Sequence, residues 1–199
     1  RIPAAFFPVA SSMLDRRVLD VNKIQLTLAA HGGVAAMTAA IDAAVDREAD
    51  RDGPSRAEYR AKWWTPTRWD PAEVVYIKRL LQHALPERIR RPLVDDLFRR
   101  LVSTDEQAIA SELYMGADAA REMRGGGMTI GAHGDRHVRL STLAPDGQAL
   151  EIDGALRVLD AVGAGRRRFA YCYANGDHDE HSVELLRARH EAIGSDGPQ

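Results

Sequence analysis

Between residues 34 and 124 the chain carries one helical stripe after another, and no run alternates apolar and polar residues over the length of a strand. Close to half of the chain is thereby committed to helices. Alanines and acids dominate 34–52, which suits a surface helix, and "RDGPS" at 51–55 breaks it. Ile77, Leu80, Leu81, Ala84 and Leu85 predict a helix over 72–85 that Pro86 ends. Val94, Leu97, Phe98 and Leu101 predict another over 91–102. Thr104 and Gln107 have capping-box spacing and predict the start of a third. A fourth, short helix ends at glycines 125–127. Within this stretch Tyr59, Trp63, Trp64 and Trp69 cluster. They suit a stacking platform for sugar rings or a segment packed by its large side chains. Packing is the preferred reading, because aromatics supply contact area wherever they occur.

The flanks have a different pattern. "IPAAFFPVA", bounded by Pro3 and Pro8, reads as a buried strand with its prolines at the ends. Val18, Val21, Ile24 and Leu28 predict a helix over 17–30. After the glycines, "MTIGA" reads as a short strand and 144–165 as a helix closed by Gly163 and Gly165. Residues 168–177 read as a strand and turn, and 179–190 as a helix with Asp179 as its N-cap. Strand, helix, strand, helix predicts parallel strands with crossover helices.

The 199 residues are 45% apolar, enough for a buried core, and suit one domain or one domain with an insertion. A formal charge of -2 argues against a nucleic-acid partner, whose footprint would be basic, and the arginine run 166–168 reads as a solvated turn. No apolar run reaches the roughly 18 residues of a membrane span. The chain shows no signal peptide and begins at Arg1, so its true N-terminus is expected to lie elsewhere and the compartment stays open. Cys172 is the single cysteine, which excludes an internal disulfide. No feature specifies an oligomeric state.

Chemistry enters with "MTIGAHGDRH" at 128–137. His133 and His137 stand four apart, with Gly131 and Gly134 flanking His133. Neutral imidazoles bind zinc, and glycines let a loop fold tightly enough for two of them to share one ion. On spacing alone the pair reads more readily as two exposed loop residues. "DHDEH" at 177–181 offers further donors, Asp177 and His178 among them, but it sits where acids favour a helix N-terminus and reads as a charged cap.

The stretch from "GMTIGAHGDRH" through Leu140, Leu143 and Pro145 into the following helix resembles the second motif region of the polysaccharide deacetylases, the NodB-homology group of carbohydrate esterase family four. "RRFAYCYANGD" resembles that family's third motif, and "IPAAFFPVA" its second strand. The helical stretch resembles an insertion seen in one subgroup. The resemblance implies an α/β fold: an incomplete, distorted (β/α) barrel of the NodB-homology type with a mainly helical insertion. It implies one such domain over 1–199, with the insertion at 34–124. It also implies a divalent metal, usually Zn²⁺, held by His133 and His137 together with an aspartate, and hydrolysis of an N- or O-acetyl group on a sugar or polysaccharide. The backbone N–H of Tyr173 matches the group that helps to hold the oxyanion. The family's aspartates and general acid belong to motifs outside this stretch, so the resemblance implies a piece cut at both ends, without general base or acid, that releases acetate poorly. Cys172 stands where the third motif usually has proline, and Ala170 or Tyr171 where many members have arginine. Two other classes fit the residues: an inactive relative that binds glycan or a partner, and an unrelated α/β domain.

Overall fold

In the computed structural model the described residues are 2–49, 53–167 and 169–194. They follow the order β1 (Ala5–Phe6), α1 (Ala10–Leu14), α2 (Asp20–Ala29), α3 (Gly33–Ala49), α4 (Arg56–Trp63), α5 (Ala72–Arg79), α6 (Glu87–Leu101), α7 (Glu106–Leu113), α8 (Ala117–Gly125), β2 (Thr129–Ile130), α9 (Pro145–Ala161) and α10 (Glu180–Gly194). The chain divides into two compact units, Val18–Glu106 and a discontinuous one made of Arg1–Arg17 with Gln107–Gln199.

Among its described residues the Val18–Glu106 unit is built of helices joined by loops, without a strand. The stripe Ile77, Leu80 and Leu81 is fully buried, as are Leu97 and Val94 of α6. They meet Ile24 of α2 and Met37, Ile41 and Val45 of α3. The inner face of α3 is therefore core, and only its outer face is surface. The helix expected over 72–85 widens after Arg79 into a π-helical turn, Leu80–Ala84, closed by the Leu85 N–H on the Leu80 carbonyl at 3.0 Å. The wider turn keeps Leu80, Leu81 and Leu85 buried while Pro86 ends the helix. Ser55 starts α4 with a capping box: Glu58 N–H donates to its Oγ, and its own N–H donates to Glu58 Oε2 at 2.7 Å. Residues 50–52, which include the start of the expected breaker, lie outside the described residues. Tyr59, Trp63 and Trp64 pack on the core, whereas Trp69 is 77% exposed.

A buried polar group crosses this core. The Tyr76 hydroxyl donates to Asp42 Oδ1 at 3.1 Å, and Arg60 meets Asp42 Oδ2 at 2.6 Å. Burial, with the Asp42 charge added, pushes the Tyr76 phenol up to about 12. An unfolded tyrosine ionises near 10, so the unfolded chain loses this proton first as pH rises. The contribution is complete below about pH 10 and is lost between about 10 and 12. Across that window the native chain is expected to lose about 2 kcal/mol more than Tyr76→Phe, measured as urea midpoints on either side of it. Equal losses in both proteins would refute this assignment.

The second unit holds the strands. β1 and β2 pair in parallel, Ala5 with Thr129 and Phe6 with Ile130. Beyond Ile130 the backbone turns its bonding to a third extended segment, where Ala132 bridges Tyr171 in parallel. The Gly131 N–H donates to Phe6 O at 2.8 Å, and the Ala132 N–H to Ala170 O at 3.0 Å. α9 covers the segments with Ile152, Ala155, Leu156, Val158 and Leu159, all fully buried.

The incomplete, distorted (β/α) barrel implied by the resemblance is not what forms. Among the described residues the structure is mainly helical and has two short parallel strands. A barrel wall needs about eight paired strands to close. Here the strands are two residues long, and the strand expected over 168–177 contributes one bridge at Tyr171 before a 3-10 turn at Ala174–Gly176. Arg168, the first residue of that expected strand, lies outside the described residues. Among the described residues the parallel order and the crossover helices are present and the closed wall is not.

Candidate functional site

His133 follows the end of β2, and the loop it opens is tied down from three sides. From α1, the Ala10 N–H donates to Gly134 O at 3.2 Å and the Ser11 N–H to Asp135 O at 2.9 Å. From the third extended segment, the Tyr171 hydroxyl accepts from the Gly134 backbone. From α9, the Glu151 carboxylate accepts the Arg136 N–H at 2.8 Å and the Val138 N–H. Two residues of the loop have left-handed backbone, Gly134 at φ 77° and His137 at φ 61°. Glycine takes that conformation freely, whereas histidine holds it only where the surroundings impose it.

This path brings the two imidazoles together, with centroids 4.7 Å apart and planes at 75°. His133 Nδ1 lies 2.7 Å from the Cys172 carbonyl oxygen. A carbonyl only accepts, so Nδ1 carries a hydrogen and Nε2 is the nitrogen left for a metal. Burial, and then the neighbouring His133, hold His137 below the usual imidazole range. A ligand histidine commonly has its other nitrogen pinned in the way His133 is. The pair fits a divalent metal in donor type.

The acids near the pair are engaged elsewhere. Asp135 accepts from Arg157 at 2.8 Å, and Arg157 also grips Asp15 through two hydrogen bonds. Asp177 accepts the Ser141 N–H at 2.8 Å and the Ser141 hydroxyl at 2.9 Å, which fixes the 3-10 turn at Leu140–Thr142. Asp179 caps α10 by accepting the Ser182 N–H at 2.8 Å, as the sequence predicts. Among the described residues, no group of three or more His, Cys, Asp or Glu could hold a metal ion. Tyr173 adjoins Cys172, and no described residue accepts from its backbone N–H. Its ring stacks on His178 at 4.6 Å between centroids.

Sequence reasoning missed Glu151. The signal was present: Glu151 occupies a position on α9 that is otherwise apolar, next to Ile152 and one turn before Ala155. An acid on a buried face needs partners, and the histidine loop supplies them.

Among the described residues no helix is long and apolar enough to cross a membrane. Comparison with curated proteins gives no match, and comparison with solved structures gives none. Residues 100–190 match the model of the polysaccharide deacetylase family. That span holds His133, His137, α9 with Glu151, and the segment from Tyr171 to Tyr173. The part of the chain that builds the histidine pair, residues 100–190, is therefore similar to the polysaccharide deacetylase family.

Proposed function

We propose that the chain acts in metal-dependent removal of acetyl groups from a polysaccharide or sugar. The observation that carries this reading is the edge-on pair His133 and His137, with the Nδ1 hydrogen of His133 committed to the Cys172 carbonyl. In this reading His133, through Nε2, and His137 hold a divalent cation, with Zn²⁺ the best match to two imidazoles. A metal bound there would supply Lewis acidity toward the acetyl carbonyl and the attacking water. The Tyr173 N–H would donate to the carbonyl oxygen as negative charge builds on it. The helical stretch 34–124 is read as an insertion within one deacetylase domain.

Asp135, Asp177 and Glu151 are committed to Arg157, Ser141 and Arg136, so none of them is placed to take or give the reaction's proton. General acids and bases contribute roughly 10²–10⁴-fold each. The 199 residues by themselves are therefore expected to be slow. The test is acetate release from acetylated chito-oligosaccharides and xylan with added zinc. A low rate that falls to background in His133→Ala and His137→Ala supports the reading. Fast turnover would mean that the carboxylates have been misassigned, and release unaffected by either substitution would reject the pair as the site.

A second reading is favoured by a cavity of about 660 Å³ in the Val18–Glu106 unit, lined by Gly33, Val34, Thr38, Asp42, Trp64 and Glu73 among others. An aromatic ring beside carboxylates suits a sugar. Quenching of tryptophan emission by the same oligosaccharides, lost in Trp64→Ala, would support glycan binding there. Unchanged emission would dismiss it.

A further inference from the structure

We propose that Glu151 is the positioning residue of the histidine pair: its carboxylate accepts the backbone N–H groups of the turn between the two histidines and so keeps both rings on one side of the loop. This rests on the pair being a metal site.

Glu151 is 2% exposed and projects from α9 into the concave side of residues 134–138. Its Oε1 accepts the Arg136 N–H at 2.8 Å, its carboxylate also accepts the Val138 N–H, and Oε2 faces the Arg136 guanidinium at 3.4 Å. These N–H groups flank His137, the residue held at φ 61°. Without this acceptor they would lose their partner, at a cost that a return of His137 to ordinary backbone would relieve. Such a return would swing the His137 ring away from His133. The turn is shaped around the carboxylate: a Cβ on Gly134 would stand 2.9 Å from Glu151 Oε1. The ties on the loop from α1 and from Tyr171 reach Gly134 and Asp135.

The test uses the full chain as Glu151→Ala and Glu151→Gln, with zinc alone as the probe. Zinc affinity is measured by competition with a chromophoric chelator, and amide hydrogen exchange is followed at Arg136 and Val138. Far-UV circular dichroism checks that each variant is folded. Glu151→Ala is expected to bind zinc about 10–100-fold more weakly, the range for loss of a group that orients a ligand. Exchange at the two amides should accelerate while the α9 amides keep their protection. Glu151→Gln keeps one acceptor oxygen and should fall between native and alanine, and it carries the test alone if the alanine variant does not fold. Native affinity with native exchange in the folded variants would overturn the proposal. If the native chain binds zinc no better than the double variant lacking both histidines, the metal reading fails. Exchange at Arg136 and Val138 then decides the role of Glu151 by itself.

Discussion

Replacing Gly131 with alanine is expected to destabilise the folded chain by about 3 kcal/mol, and valine by more. The reason is crowding, since Gly131 is where the backbone passes from one neighbour to the other. A Cβ there would lie 2.5 Å from the Phe7 ring and 2.7 Å from the Ala170 carbonyl oxygen. The Phe7 ring would have to move aside, and the carbonyl is part of the backbone. Moving Ala170 would break its 3.0 Å bond from the Ala132 N–H and pull Tyr171 off its bridge. The same shift would disturb the Cys172 carbonyl that holds His133. Urea denaturation followed by circular dichroism provides the measurement. An alanine variant within about 0.5 kcal/mol of native, the usual range for a surface change, would show that the segments are looser than described.

The second large effect concerns the histidines. His133→Ala or His137→Ala is each expected to weaken zinc binding at least tenfold, and the double substitution to abolish saturable binding. With two imidazoles as the donors, each carries a large share of the affinity. His133→Gln is informative too, because its amide can still reach the Cys172 carbonyl yet offers no imidazole nitrogen. It should keep native stability while losing the metal. Stoichiometric zinc on the double variant would place the ion elsewhere.

Some of this was legible in the residues and some was not, for physical reasons. Helix stripes are local, so Ile77, Leu80, Leu81, Val94 and Leu97 could be placed on buried faces from spacing alone. The π-helical turn after Arg79 could not, because the same stripe fits either winding. His133 and His137 were legible as a pair because Gly131 and Gly134 announce a tight loop. The extent of the third strand was not legible. An apolar run such as "RFAYCY" states a preference for extended backbone, whereas pairing needs a neighbour, and among the described residues the run makes one bridge, to Ala132. The barrel expectation failed at that step: likeness to a family's motifs conveys local shape at the motif and does not supply the strands of a wall. The acidic run at 177–181 divided into two tasks that its composition could not separate. Asp179 caps its own helix, while Asp177 reaches back to Ser141, 36 residues earlier.

The threading of the three extended segments bears on how the chain folds. Phe6, Ile130 and Tyr171 belong to one parallel ribbon, yet the whole Val18–Glu106 unit lies along the chain between the first and the second. That unit is continuous and helical, so its contacts can form early without waiting for distant partners. The ribbon must instead close one long loop and one shorter loop. Each doubling of loop length adds about 0.6 kcal/mol of closure entropy, so joining β1 to β2 is the harder of the two steps. The histidine loop depends on α1 from one side of that closure and on α9 from the other, which makes its assembly a late event on the folding route.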